Sequence, residues 1–130
     1  MRLPSRCIPV LESELQNTGV FAMNGARIVL TSIGVYERAD KLAHELVERG
    51  LAACVNIVGP IRSVYRWKGK VENEQEYLLI IKTTAARAQE LGAVFAELHS
   101  YELPERVEIE IAGGSADYLE WLGQLGTESQ

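Results

Sequence analysis

The stretch Ile61–Thr83, "IRSVYRWKGKVENEQEYLLIIKT", limits this chain more than any other. Ile61, Ser63, Tyr65 and Trp67 alternate with Arg62, Val64, Arg66 and Lys68, which is the period of a β-strand. "KGK" then supplies Gly69 as a turn residue. Beyond it Val71, Tyr77, Leu79 and Ile81 share one parity, and Glu72, Glu74 and Glu76 the other. Two long arms around a tight turn predict a β-hairpin. Its first arm interleaves aromatics with Arg62, Arg66, Lys68 and Lys70, a composition that also occurs in nucleic-acid binders. The carboxylates of the second arm offer those cations partners inside the same element, worth about 0.2–1 kcal/mol per cross-strand pair. The expectation is therefore a hairpin face and no nucleic-acid partner.

Net charge agrees with that expectation. Thirteen Lys and Arg against eighteen Asp and Glu leave −5, where a nucleic-acid footprint needs a basic face. The signature aromatics of an RNA-recognition sheet are also missing. At 130 residues, 47% of them hydrophobic and 24% charged, one globular domain is expected. No apolar run approaches the roughly 18 residues of a membrane span, so no membrane partner is predicted. Two cysteines, Cys7 and Cys54, make no disulfide framework, and the simplest setting is a reducing cytoplasm.

Residues 1–26 hold no period and are broken by Pro4, Pro9, Gly19 and Gly25; they read as a loosely attached arm without a secretion signal. Met23 is a plausible original start. The domain is expected over 27–125, with a short tail at 126–130. "RIVLTSI" is a buried strand. "YERADKLAHELVERG" carries Ala39, Leu42, Ala43, Leu46 and Val47 at helical spacing, with His44 on its charged face and Gly50 as its stop. "LAACVNIV" reads as a second buried strand, with Cys54 in its middle as a small hydrophobe. Thr84 caps a second helix with Ala88, Leu91, Val94, Phe95 and Leu98 on its apolar stripe. Val107, Ile109 and Ile111 alternate with Glu108 and Glu110 in a fourth strand. Ser115 caps a last helix with Asp117 at its positive end. The order β-α-β-β-α-β-α predicts an α+β, ferredoxin-like split fold, a four-stranded antiparallel sheet with helices on one face. The other face needs a cover, and Tyr65, Trp67, Tyr77 and Tyr101 are candidates for contacts between subunits.

Chemistry-bearing motifs are few. There is no G-x-S-x-G, Walker A, H-E-x-x-H or C-x-x-C pattern. No nucleophile is spaced with a base, so no enzyme is predicted; acylphosphatases share the split fold, but that is analogy. "GGSADY" is a strand-to-helix turn with a generic anion-binding helix start. His99, Glu102 and Glu105 follow the second helix around Pro104. One imidazole and two carboxylates suit Cu(II) or Zn(II). A capping histidine in a polar surface is the other reading. No cofactor is obligatory.

"ELVERGLAACVNIVGPIRSVYRWKGKVE", "LLIIKT", "LHSYELPE" and "DYLEWL" together resemble the CutA family of divalent-cation tolerance proteins, in order and without large gaps over residues 27–125. The resemblance implies a homotrimer with a shape like that of the PII signalling proteins. It also implies a non-enzymatic role in copper or other divalent-metal tolerance. A second function follows from the PII likeness: a small anionic ligand or nucleotide held in clefts between subunits. In the family's bacterial copper site, a strand cysteine corresponds to Thr31 and two adjacent histidines to Leu98 and His99. Of these only His99 is retained. Glu105 matches the family's "P-E" glutamate, Ser100 replaces its usual proline, and Cys54 matches the cysteine of "AAC", which looks structural.

Overall fold

The computed structural model describes residues 25–125. The expectations for the arm before residue 25, for Met23 and for the tail at 126–130 lie outside the described residues. The first strand begins at Ala26, which is already buried.

The chain runs β1 (Ala26–Ile33), α1 (Tyr36–Glu48), β2 (Cys54–Trp67), β3 (Lys70–Thr84), α2 (Ala85–Ala88), α3 (Leu91–Leu98), β4 (Val107–Glu110) and α4 (Ala116–Gly123). One antiparallel sheet has the order β2-β3-β1-β4. The predicted split α+β fold is therefore present, with the second helix divided at Gln89 and Glu90. Thr84 does cap the first piece, its hydroxyl accepting from the Arg87 N–H at 3.3 Å. Ser115 occupies the cap position of α4 but makes no side-chain capping bond.

Register sorts the side chains. Val29 lies opposite Ile81 and Thr31 opposite Leu79. These four, with Ile33, face the helices, and all are fully buried. The apolar stripe of α1, Ala39, Leu42, Ala43 and Leu46, closes onto them with Leu91 and Phe95 of α3. At the far end Leu119 and Leu122 of α4 cover Ala26. The alternate residues form the other face, where α4 covers the Ala26 end and the described residues leave the remainder open. Ile28, Leu30, Leu78 and Ile80 are only half-buried there. Val58, Val107 and Ile109 are 42%, 48% and 43% exposed.

Two expectations for the hairpin region change. The strand read from Leu51 starts only at Cys54, because the Leu51 and Ala52 N–H groups turn back to the Leu46 carbonyl. Cys54 thus opens β2, and the strand is an edge, largely half-exposed or exposed rather than buried. The hairpin itself is continuous apart from a register shift between Val58 and Ile61. Its turn is Lys68–Gly69, both at positive φ (51° and 82°), the left-handed pair that two-residue hairpin turns require. The predicted cation–carboxylate pairing across the arms does not form. Tyr65 lies opposite Glu72, Ser63 opposite Glu74, and Trp67 opposite Lys70. The aromatics therefore share a face with the glutamates. Arg66 lies opposite Val71, and Arg62 bonds Asn73 at 2.7 Å.

Tyr77 is on the helix side of the sheet, edge-on to Tyr36 at 5.5 Å between centroids. Gly59 makes that position open, since a Cβ there would lie 2.5 Å from the Tyr77 ring. Gly59→Ala should therefore overpack the strand and destabilise the fold by about 1–3 kcal/mol. Chemical denaturation, with the midpoint falling and the slope unchanged, measures it.

Candidate functional site

The residues singled out after α3 do come to one end of the sheet, but in a different arrangement from a three-ligand metal site. His99 directly follows α3 and is 8% exposed. Its ring sits between Phe95 and Tyr101, with centroids at 5.6 and 5.0 Å. The Tyr101 backbone N–H donates to Nδ1 at 3.2 Å. Nδ1 must then hold a lone pair, and the proton of the neutral ring lies on Nε2. Nε2 lies 3.0 Å from the Ser32 carbonyl, to which it donates, and 3.1 Å from the Thr31 hydroxyl. Both nitrogens are thus engaged, and the imidazole braces the end of α3 against β1.

Glu105 accepts from the Ser32 hydroxyl at 3.2 Å, and Glu102 is exposed. His99, Glu102 and Glu105 are therefore not one donor set. Among the described residues no group of three or more His, Cys, Asp and Glu is placed to hold a metal ion. The strand and helix positions named by the family resemblance do meet, since Thr31 touches His99. A buried threonine hydroxyl is a poor copper donor beside a thiolate, however. Leu98 packs against the core instead. The family's copper site does not fit these residues.

A second polar contact was not legible in the sequence. Glu76 is 5% exposed, and its carboxylate accepts from the Tyr101 hydroxyl at 2.5 Å. Burial, followed by the Glu76 contact, pushes the Tyr101 phenol far above its ordinary value of 10. In sequence Glu76 closes an acidic alternation that reads as solvated. Its parity with Leu78 and Ile80 was the available signal. Tyr101 approaches so closely that a Cβ on Gly34 would lie 3.0 Å from its hydroxyl.

Between the distal hairpin and residues 100–107 lies an open cleft of about 950 Å³. Tyr65 and Trp67 line it, and so do Glu72, Glu74, Glu76, Glu102 and Glu105 against Arg106. The Tyr65 phenol is raised, first by desolvation and then by its bond to Glu74. Of the four aromatics expected at an interface, Tyr65, Trp67 and Tyr101 gather here, and Tyr77 lies on the other side of the sheet. Cys54 is buried, with its thiol 3.9 Å from the Asn56 side-chain oxygen.

A family model described as "CutA1 divalent ion tolerance protein" matches residues 27–125, almost the whole described region. The chain belongs to the CutA1 family. It is similar to the divalent-cation tolerance protein CutA of Thermus thermophilus, 45% identical over 95 residues, which covers 73% of this chain and 92% of that one. The chloroplastic CutA of Arabidopsis thaliana is 40% identical over 124 residues, 88% of this chain and 68% of its own. Among solved structures, CutA1 of Thermus thermophilus superposes with a TM-score of 0.75 at 43% identity, over 77% of this chain and 97% of that one. CutA1 of Oryza sativa superposes at 0.74 and 40%, over 78% and 93%. The family and its Thermus thermophilus member are named for divalent-ion tolerance, and the family membership links this chain to divalent-cation tolerance.

Two outcomes follow from the polar brace of this CutA1 domain. Burial lowers the His99 pKa from its ordinary 6.5, against weaker raising effects of the Ser32 carbonyl and Glu76. With the folded pKa below the unfolded one, the unfolded chain binds the extra proton. The stabilisation is therefore complete above pH 6.5 and lost as pH falls from there through the folded value. The melting temperature of the native protein should drop on acidification below 6.5, and His99→Gln should remove that component. Tyr101→Phe should leave the buried Glu76 without its donor and cost about 1–3 kcal/mol. Denaturant unfolding beside Tyr65→Phe, whose phenol is exposed and meets exposed Glu74, measures the difference.

Proposed function

We propose that this CutA1 protein works as a homotrimer that binds divalent cations, copper or zinc, in a non-enzymatic role in metal tolerance. The observation that supports assembly is the part of the sheet face that the described residues leave open beyond α4. Ile28, Leu30, Leu78 and Ile80 form a continuous apolar surface with exposed Val58, Val107 and Ile109 along the edges. A patch of this kind marks an interaction surface. Identical copies are its natural cover, because closed symmetry also removes the free edges β2 and β4. The acidic, aromatic cleft lies on this same face, at its hairpin end.

The cleft also weighs against the alternative of a small anionic ligand or nucleotide. Five glutamates against one arginine repel phosphate rather than hold it. The compartment we propose is the cytoplasm, where a free thiol such as Cys54 stays reduced. Relatives carry names that place them in the chloroplast (Arabidopsis thaliana) and the periplasm (Archaeoglobus fulgidus).

Light scattering coupled to size exclusion should give three times the chain mass for the wild type. Ile80→Glu, which plants a charge in the middle of the open face, should shift the population to monomer or unfold the chain. A monomeric wild type sinks the assembly reading. Calorimetry of the full chain with Cu(II) and Zn(II), on the same preparation, tests the metal reading separately.

A further inference from the structure

We infer that His44 and Glu48, on the outward face of α1, form a binding site for a borderline divalent cation such as Cu(II) or Zn(II), with water completing the coordination. The inference rests on the reading that this chain binds divalent cations, and it locates where they bind.

The chain has two histidines. His99 has both ring nitrogens engaged inside the fold. His44 is exposed, and its Nδ1 lies 2.9 Å from the Asp40 backbone carbonyl. A carbonyl only accepts, so Nδ1 carries the proton and the lone pair of the neutral ring points out from Nε2. An imidazole oriented through Nδ1–H on a backbone carbonyl is the arrangement that metal-ligating histidines use, because it fixes both tautomer and ring direction.

Glu48 is the residue that can join it. It stands four positions on, on the same side of α1, and a helical side chain that leans toward the N-terminus can bring its carboxylate to the turn that carries His44. Its negative charge reaches the ring, contributing to a raised His44 pKa behind the larger effects of Asp40. Glu48 makes no hydrogen bond or ion pair among the described residues, whereas neighbouring Glu45 is tied to Arg49 at 2.9 Å. The Asp40 carboxylate, 3.5 Å from Nδ1, adds negative charge behind the ring. Imidazole nitrogen with carboxylate oxygen is a borderline donor set that suits Cu(II) and Zn(II) over calcium or magnesium. The buried stripe of α1 faces the sheet, and the open sheet face lies on the opposite side of the molecule. The site therefore stays accessible in the proposed trimer, three per assembly.

The test uses the full-length trimer. Substoichiometric Cu(II) should broaden the His44 ring resonances before those of His99. Zn(II) calorimetry should give about one site per chain, weakened about tenfold or more in His44→Gln and to a lesser degree in Glu48→Gln. Both positions are exposed, so circular dichroism and oligomeric mass should be unchanged in the variants. Metal bound with equal affinity by wild type and His44→Gln, with His44 unbroadened, overturns this site and leaves the metal-binding reading standing. A wild type that binds neither metal overturns both.

Discussion

The pairing of β1 with β3 is the constraint on which the rest of this molecule depends. Eight residue pairs, from Ala26 opposite Thr84 to Ile33 opposite Tyr77, fix which side of the sheet each side chain takes. Val29, Thr31, Ile33, Leu79 and Ile81 go to the helices, and Ile28, Leu30, Leu78 and Ile80 go to the open face. A slip by one residue would exchange the two sets, because the side-chain period of a strand is two. The same register brings Thr31 and Ser32 under the end of α3 and Glu76 beneath Tyr101. Core and polar end are thus consequences of a single alignment.

At that polar end, burial changes what familiar residue types can do. An imidazole in water is a ready metal ligand and proton carrier. His99, with an N–H aimed at one nitrogen and a carbonyl and hydroxyl at the other, becomes a structural brace. Glu76 undergoes the same change, its carboxylate held by a phenol instead of by water. A buried polar group without partners is costly, and among the described residues no buried side-chain nitrogen or oxygen lacks one. Histidine on the exposed helix face keeps the lone pair that the buried one has used.

Much of the fold was legible. Strand and helix order, the hairpin, the Thr84 cap and the need for a cover on one sheet face all followed from apolar periodicity and turn residues, which are local signals. What misled was also local. The basic and acidic arms of the hairpin invited a charge-paired face. Cross-strand partners are set by where the turn closes, however, and the Trp67–Lys70 closure puts Tyr65 beside Glu72 and Arg66 beside Val71. Cys54 looked mid-strand because "LAACVNIV" is apolar apart from Asn56, while the chain spends Leu51 and Ala52 turning back onto Leu46. His99, Glu102 and Glu105 looked like a ligand set because they are close in sequence, but His99 is turned into the fold while Glu102 and Glu105 line the cleft.

By itself the sequence determined the α+β class, the element order, the family resemblance and the mismatch at Thr31 and Leu98, since each is written in residue types and their spacing along the chain. Only the tertiary structure decided which polar atoms are spent. Hydrogen-bond partners such as Thr31 and His99, or Glu76 and Tyr101, lie 68 and 25 residues apart. No local pattern records such a pairing, because a donor and an acceptor meet only after the sheet has brought their strands and loops together.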